Sequence, residues 1–181
     1  ALTGLLVFLL VFSMVWPVRK FYTMPPPDLV AQLYGPLNPF VESPLVARQV
    51  ARLTGPEDYV FIAGSEPQIL YYAKRRAPAR FGGMYGMMME HPKALEYQKE
   101  VIGCLKKRPP KVMVMVRSPL SWLRQAKSDT MILEYIDTMI KDHYRLVGGC
   151  VRRKDIAYWE EPLGKGHEFS CSMLVYRRKD K

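Results

Sequence analysis

Residues Tyr59 to Phe81 constrain the fold more than any other part of the chain. Tyr59-Val60-Phe61-Ile62-Ala63 is apolar throughout and largely aromatic or β-branched, the pattern of a strand covered on both faces. Gly64 breaks that strand. Ser65-Glu66-Pro67-Gln68 then predicts a helix start, with Ser65 as N-cap, Pro67 in the first turn and Gln68 closing a capping box. Ile69, Leu70, Tyr72 and Ala73 give the helix an apolar face, and Lys74-Arg75-Arg76 place positive charge at the end its dipole favours. Ala77-Pro78-Ala79 ends the helix, and Arg80-Phe81 predicts a second short strand. This is half of a βαβ unit, which commits the chain to a sheet flanked by helices.

The rest of the chain extends that unit. Residues 1–16 form an uncharged apolar run, ended by Pro17 and followed by Arg19-Lys20. The run would span about 24 Å at 1.5 Å per residue, short of a bilayer core of about 30 Å. It reads as the end of a transmembrane helix whose beginning is missing. A signal peptide or a buried soluble helix are the alternatives, but a basic leader, a small-residue cleavage site and a polar face are all absent. Residues 17–41 are rich in proline and predict a stiff connector without regular structure. Residues 42–181 then form one soluble α/β domain.

In that domain, Ser43-Pro44 opens a helix striped by Leu45, Val46, Val50 and Leu53. The segment from Gly82 to Met89 has no period, and its methionines suit core filling beneath a loop, with an adaptable ligand surface as the alternative. A helix is expected from Pro92 to Lys107, and an apolar strand from Val112 to Val116. Ser128 caps a strongly periodic helix that ends at His143. Two late strands, Tyr144 to Val151 and Ser172 to Arg177, are joined by a polar loop holding Trp159, Gly164 and Gly166. The expected fold is a three-layer, Rossmann-like α/β domain. Its sheet is mostly parallel, with an antiparallel strand pair near the C-terminus.

A length of 181 residues suits one domain with a full core. The formal charge of +10 points to an anionic neighbour, either a membrane surface or a phosphate-bearing molecule. Nucleic acid is set aside, because no RNP, zinc-finger or helix-turn-helix pattern accompanies the charge. His91, His143 and His167 have no metal-ligand spacing, and Cys104, Cys150 and Cys171 form no Cys-x-x-Cys pair, so no metal site is expected. Cys150 and Cys171 lie in the two late strands, where a disulfide and free thiols are both open. No nucleophile elbow, phosphate loop or catalytic acid pair is present, so no catalytic residue is assigned and a soluble nucleotide-dependent enzyme is disfavoured. In an open α/β sheet, ligands bind beyond the carboxyl ends of the strands. That places candidate ligand-binding residues at Gly64, Ser65 and Glu66, then Arg80, then Arg117 and Ser118. The competing reading makes Ser65 and Glu66 ordinary helix-start residues.

A buried strand ending in Gly64-Ser65-Glu66-Pro67, the helix Gln68 to Arg76 and Arg80-Phe81 resemble the soluble C-terminal domain of bacterial multispanning glycosyltransferases. These are similar to dolichyl-phosphate-mannose–protein mannosyltransferases and have the GT-C membrane fold. The resemblance continues through Glu96 to Glu100, Leu105 to Pro110, Val112 to Val116 and Tyr144 to Val147, covering residues 17–150 in pattern. It implies an accessory domain beside the upstream transmembrane part of the same protein. The partners it implies are membrane lipid, a lipid-phosphate-linked sugar donor and an acceptor; the catalytic carboxylate lies in the membrane part, and the fragment itself holds no cofactor. It also implies an extracytoplasmic (periplasmic) face, whereas Arg19 and Lys20 by the positive-inside tendency favour the cytoplasm. A singly membrane-anchored α/β binding or assembly domain without enzymatic activity is the alternative.

Overall fold

Val60–Ala63 forms strand β1, and all four side chains are buried. Val60 and Ile62 enter one apolar cluster and Phe61 and Ala63 another. Alternate side chains of a strand point to opposite faces, so both faces of the sheet are covered here. A computed structural model describes residues 2–35, 37–153 and 156–179. In chain order the elements are helices α1 (Leu2–Thr23), α2 (Pro26–Tyr34) and α3 (Ser43–Leu53), strand β1, and helices α4 (Gln68–Ala73), α5 (Tyr85–Met88) and α6 (Ala94–Lys107). Strand β2 (Val112–Val116), helix α7 (Met131–His143) and strands β3 (Tyr144–Arg153), β4 (Ile156–Glu160) and β5 (Cys171–Arg178) complete the domain.

The protein is mixed α/β, with an open five-stranded sheet in the order β1-β2-β5-β3-β4. Only β1 and β2 are parallel; β2–β5, β5–β3 and β3–β4 are antiparallel. The expected mostly parallel sheet is therefore corrected. Parallel neighbours need a crossover of a dozen or more residues, which the chain between β1 and β2 supplies; the segment with α7 between β2 and β3 is as long, but β5 lies between those two strands and runs antiparallel to both. From β3 onward the connections are short, so each strand doubles back. The expected antiparallel pair is β3 with β5, and β5 inserts between β2 and β3. The polar loop expected between them is also corrected in part, since Ile156–Glu160 pairs with β3 and its Trp159 packs on the α3 side of the core.

One cluster joins Val46, Ala47 and Val50 of α3 and Ile69 and Ala73 of α4 to Val112, Val114, Met173 and Val175. The other joins Met84, Met87 and Met88 to Val101 and Leu105 of α6 and to Ile132, Ile136 and Met139 of α7. Met84, Met87 and Met88 thus fill the core, as the gap-filling reading expects, while Met89 is exposed. Gln98, on the inner face of α6, is wholly buried. Its amide donates to the Met87 and Asp129 carbonyls at 2.8 and 2.9 Å and accepts from the Ile132 amide at 3.0 Å. Ile132 lies in the first turn of α7, whose amides have no partner within the helix, so Gln98 caps α7 from outside.

Several local expectations are overturned by partners distant in sequence. Ser65 caps no helix: α4 begins at Gln68, and the Ser65 hydroxyl accepts from the Met84 amide at 2.9 Å. Ser128 likewise accepts from the Gln125 amide at 2.8 Å and donates to the Met88 carbonyl, while α7 starts after Thr130. Ser43 is the first residue of α3 and donates to the Pro39 carbonyl at 2.7 Å. Arg80-Phe81 is not a strand; the parallel bridge to Tyr59 is made by Arg76. Lys74 adopts φ 53° and turns the chain there, its amide bonding the Leu70 and Tyr71 carbonyls.

The proline-rich segment is more regular than expected. Helix α1 continues through Pro17 to Thr23, because one proline removes a single amide donor and such breaks are tolerated in membrane-length helices. Helix α2 opens on Pro26, where the missing amide is an orphan in any case, and ends at Gly35 with φ 75°. Among the described residues α1 is the one helix long and apolar enough to cross a membrane. Its side chains from Leu5 to Leu10 are exposed. Its 22 residues extend about 33 Å at 1.5 Å each.

Candidate functional site

The carboxyl ends of β1 and β2 meet at Gly64, Ser65, Glu66 and Ser121. The Ser65 amide donates to the Ser121 hydroxyl at 2.8 Å, and that hydroxyl donates to Glu66 Oε2 at 2.6 Å. Glu66 is only 4% exposed. Gly64 makes the approach possible, since a Cβ there would lie 2.5 Å from Glu66 Oε2 and 2.6 Å from Ser121 Oγ. Burial raises the Glu66 carboxyl above its ordinary range; hydrogen bonds from Ser121 and Ser65 lower it, and the Glu42 charge raises it further. This knot ties the chain after β1 to the turn after β2.

Beside it opens a cleft of about 530 Å³. Its walls are Leu37, Pro39 and Glu42 ahead of α3, Arg117-Ser118-Pro119 after β2, Arg152 of β3 and Phe169 to Ser172 at the start of β5. Glu42 lines the cleft yet is only 1% exposed, and its Oε2 has no hydrogen-bond partner. The Arg152 guanidinium stands 3.7 Å from that oxygen. Burial is the main influence raising the Glu42 carboxyl; its own amide, then Arg152, then Ser172 pull it down. Arg117 is exposed, donates to the Glu168 carbonyl, and lies 5.9 Å from the Phe169 ring. Ser118 donates to the Leu37 carbonyl at 2.6 Å, pinning the segment before α3 to the cleft. The cleft therefore combines two guanidinium groups, serine hydroxyls and one buried carboxylate oxygen.

Of the six candidate residues, Arg117 and Ser118 line the cleft, and Gly64, Ser65 and Glu66 form the buried knot at the neighbouring strand end. Arg80 is not brought to them. It is exposed, pairs with Glu100 at 2.7 and 2.9 Å, and lies over Phe81. With no strand at Arg80-Phe81, nothing carries this residue to the strand ends, and the expected strand there is what is corrected. Glu42, Arg152, Ser172 and Phe169 escape the sequence reading. The only local hint is Glu42 itself, an acid just before the Ser43-Pro44 helix start, where a solvated N-terminal charge is the ordinary expectation.

Cys104, Cys150 and Cys171 are free thiols. Burial pushes Cys150 up to about 12 and raises Cys171 as well, so neither is a ready thiolate nucleophile. Among the described residues no group of three or more His, Cys, Asp or Glu could hold a metal ion. His91 contacts the Gly86 carbonyl at 2.6 Å and His167 contacts Glu160 at 2.7 Å. Comparison of the chain with protein-family models, curated proteins and solved structures yields no match.

The raised carboxyls give stability a pH dependence. Where a folded-state pKa lies above the unfolded one, the folded state binds more protons between the two values. The contribution of Glu42 and Glu66 to stability is then greatest below the ordinary carboxylate pKa and falls as pH rises through their raised values. Urea midpoints taken from acid to neutral pH should show this decline, and Glu66→Gln should flatten it. A midpoint that rises over the same window in the unaltered protein, and not in Glu66→Gln, would reverse the assignment.

Proposed function

We propose that the chain is the extracytoplasmic C-terminal accessory domain of a membrane glycosyltransferase similar to the dolichyl-phosphate-mannose–protein mannosyltransferases. In this reading its core is a variant of the three-layer Rossmann-like arrangement, with helices on both sheet faces and an antiparallel extension beyond β2. The observation that carries the proposal is the short helical connection from α1 to the domain, in which Pro26, Val30 and Tyr34 of α2 line one groove with Pro44, Gln68 and Tyr72. Helix α2 begins three residues after α1 ends, so the connection holds the domain within a short distance of any bilayer that α1 crosses. The transferase assignment itself rests on the resemblance of residues 17–150. The accessory domain helps shape the site for a lipid-phosphate-linked sugar and its acceptor, while the catalytic carboxylate belongs to the membrane part. The second reading, a singly anchored binding or assembly domain, draws on the same helix and on a cleft built wholly from this chain.

Membranes carrying the complete reading frame should transfer sugar from a lipid-phosphate donor. Removal of residues 25–181 should lower that transfer by about tenfold or more, whereas the purified chain alone gives no product. Enzyme-dependent turnover by the chain alone, or unchanged transfer after the removal, would defeat the proposal. A start codon just upstream of Ala1 would favour the single anchor.

A further inference from the structure

We infer that the cleft beyond the carboxyl end of β2, beside the start of β5, is a binding site for a sugar acid, a saccharide ring carrying one carboxylate. The inference goes beyond the proposed role, because it holds equally for a transferase domain and for an anchored binding domain. It starts from Glu42. A carboxylate oxygen that is almost fully buried and lacks a hydrogen-bond partner is costly, and such atoms in folded proteins ordinarily find a donor. Glu42 lines the cleft and its Oε2 lies buried there, so a ligand that settles against this wall can supply the donor. A hydroxyl does this, and a bare anion does not.

Charge selects the rest of the ligand. The charged residues lining the cleft are Glu42, Arg117 and Arg152. Arg152 faces Glu42, whereas Arg117 has no carboxylate partner among the described residues and reaches only the Glu168 carbonyl. One positive charge is therefore left over. A ligand carboxylate brings one negative charge and matches the planar guanidinium fork; a phosphate monoester brings between one and a half and two. The rim adds Phe169, 76% exposed and itself a cleft residue. An exposed ring next to an arginine offers an apolar face for the C–H side of a sugar ring. The hydroxyls of Ser118 and Ser172 line the same wall and have accepting capacity left beyond the bonds they donate to the Leu37 and Cys150 carbonyls. A hydroxylated ring with one carboxylate is the chemistry that addresses all of these groups together.

The test uses the full chain in micelles of a zwitterionic detergent that carries no sugar headgroup. Glucuronate, methyl glucoside, acetate, inorganic phosphate and glucose 6-phosphate are titrated separately, with amide NMR shifts as the readout. Glucuronate is expected to saturate, with shifts at Ser118, Phe169 and Ser172, and to bind about tenfold or more tightly than methyl glucoside or acetate. Arg117→Gln and Phe169→Ala, both altering exposed side chains, should each weaken glucuronate by about fivefold or more. Glu42→Gln should weaken it too, while its spectrum shows the fold intact. Phosphate or glucose 6-phosphate binding as tightly as glucuronate would make this a plain anion site. Methyl glucoside binding as tightly as glucuronate would remove the carboxylate from the assignment. Absence of saturable binding by every probe, or glucuronate binding that survives both surface substitutions, would overturn the inference.

Discussion

Gln98→Leu is expected to destabilise the protein by about 3–5 kcal/mol, the sum of several buried groups each losing about 1–3 kcal/mol. Leucine occupies nearly the same volume, so packing changes little and the polar loss dominates. The Met87 and Asp129 carbonyls lose a donor and the Ile132 amide loses its acceptor. All three lie against a side chain with no exposure, so water cannot replace it without opening the α6–α7 contact. Gln98→Glu should fall between the two at neutral pH, because a carboxylate accepts from Ile132 but donates to neither carbonyl. Urea denaturation of the three proteins measures the order. If Gln98→Leu shifts stability by less than about 1 kcal/mol, the amide is not the tie between α5, α6 and α7.

Gly64→Ala is expected to cost about 2–4 kcal/mol, more than an ordinary surface substitution and in the range of core overpacking with a lost buried hydrogen bond. The new methyl would meet Glu66 Oε2, Ser121 Oγ and Val116 Cγ2 at 2.5–2.6 Å. The first two atoms are hydrogen-bonded to one another, and neither can move away from the methyl without straining that bond. Val116 closes the third side from β2 and is itself buried. Ser121→Gly combined with Gly64→Ala should cost less than the two changes added, since each disturbs the same bond. Strict additivity in the double variant would show that the methyl and the Ser121 hydroxyl do not compete for this space.

The parts of the fold legible from the sequence are those where one local pattern suffices. Val60–Ala63 and Val112–Val116 are continuous apolar runs, and such runs become strands only where both faces are covered. Val101 and Leu105 on α6, and Ile132, Ile136 and Met139 on α7, repeat at the helical period and face one cluster. The cap residues fail for a common reason. Ser43, Ser65 and Ser128 all have the chemistry of an N-cap, but a hydroxyl serves any nearby backbone group, and in the folded chain Pro39, Met84, Met88 and Gln125 present better-placed ones. Proline misleads in the opposite direction, since Pro17 and Pro26 are tolerated where a single missing amide is cheap.

The sequence by itself determined that a sheet flanked by helices follows an apolar helix, because burying these runs and faces admits little else. Strand order was decided by tertiary structure. Residues 156–160 do not alternate cleanly enough to announce β4, and the place of β5 between β2 and β3 depends on how short returns can close. The candidate site was decided there as well. Arg117 and Ser118 could be placed at a strand end from sequence. Glu42 and Arg152 come from opposite ends of the domain, and Phe169 from a turn with no period. A charge pair between a helix start and a distant strand leaves no local trace, because neither residue's neighbours carry the cost of burying it; only the folded cleft brings both groups out of water together.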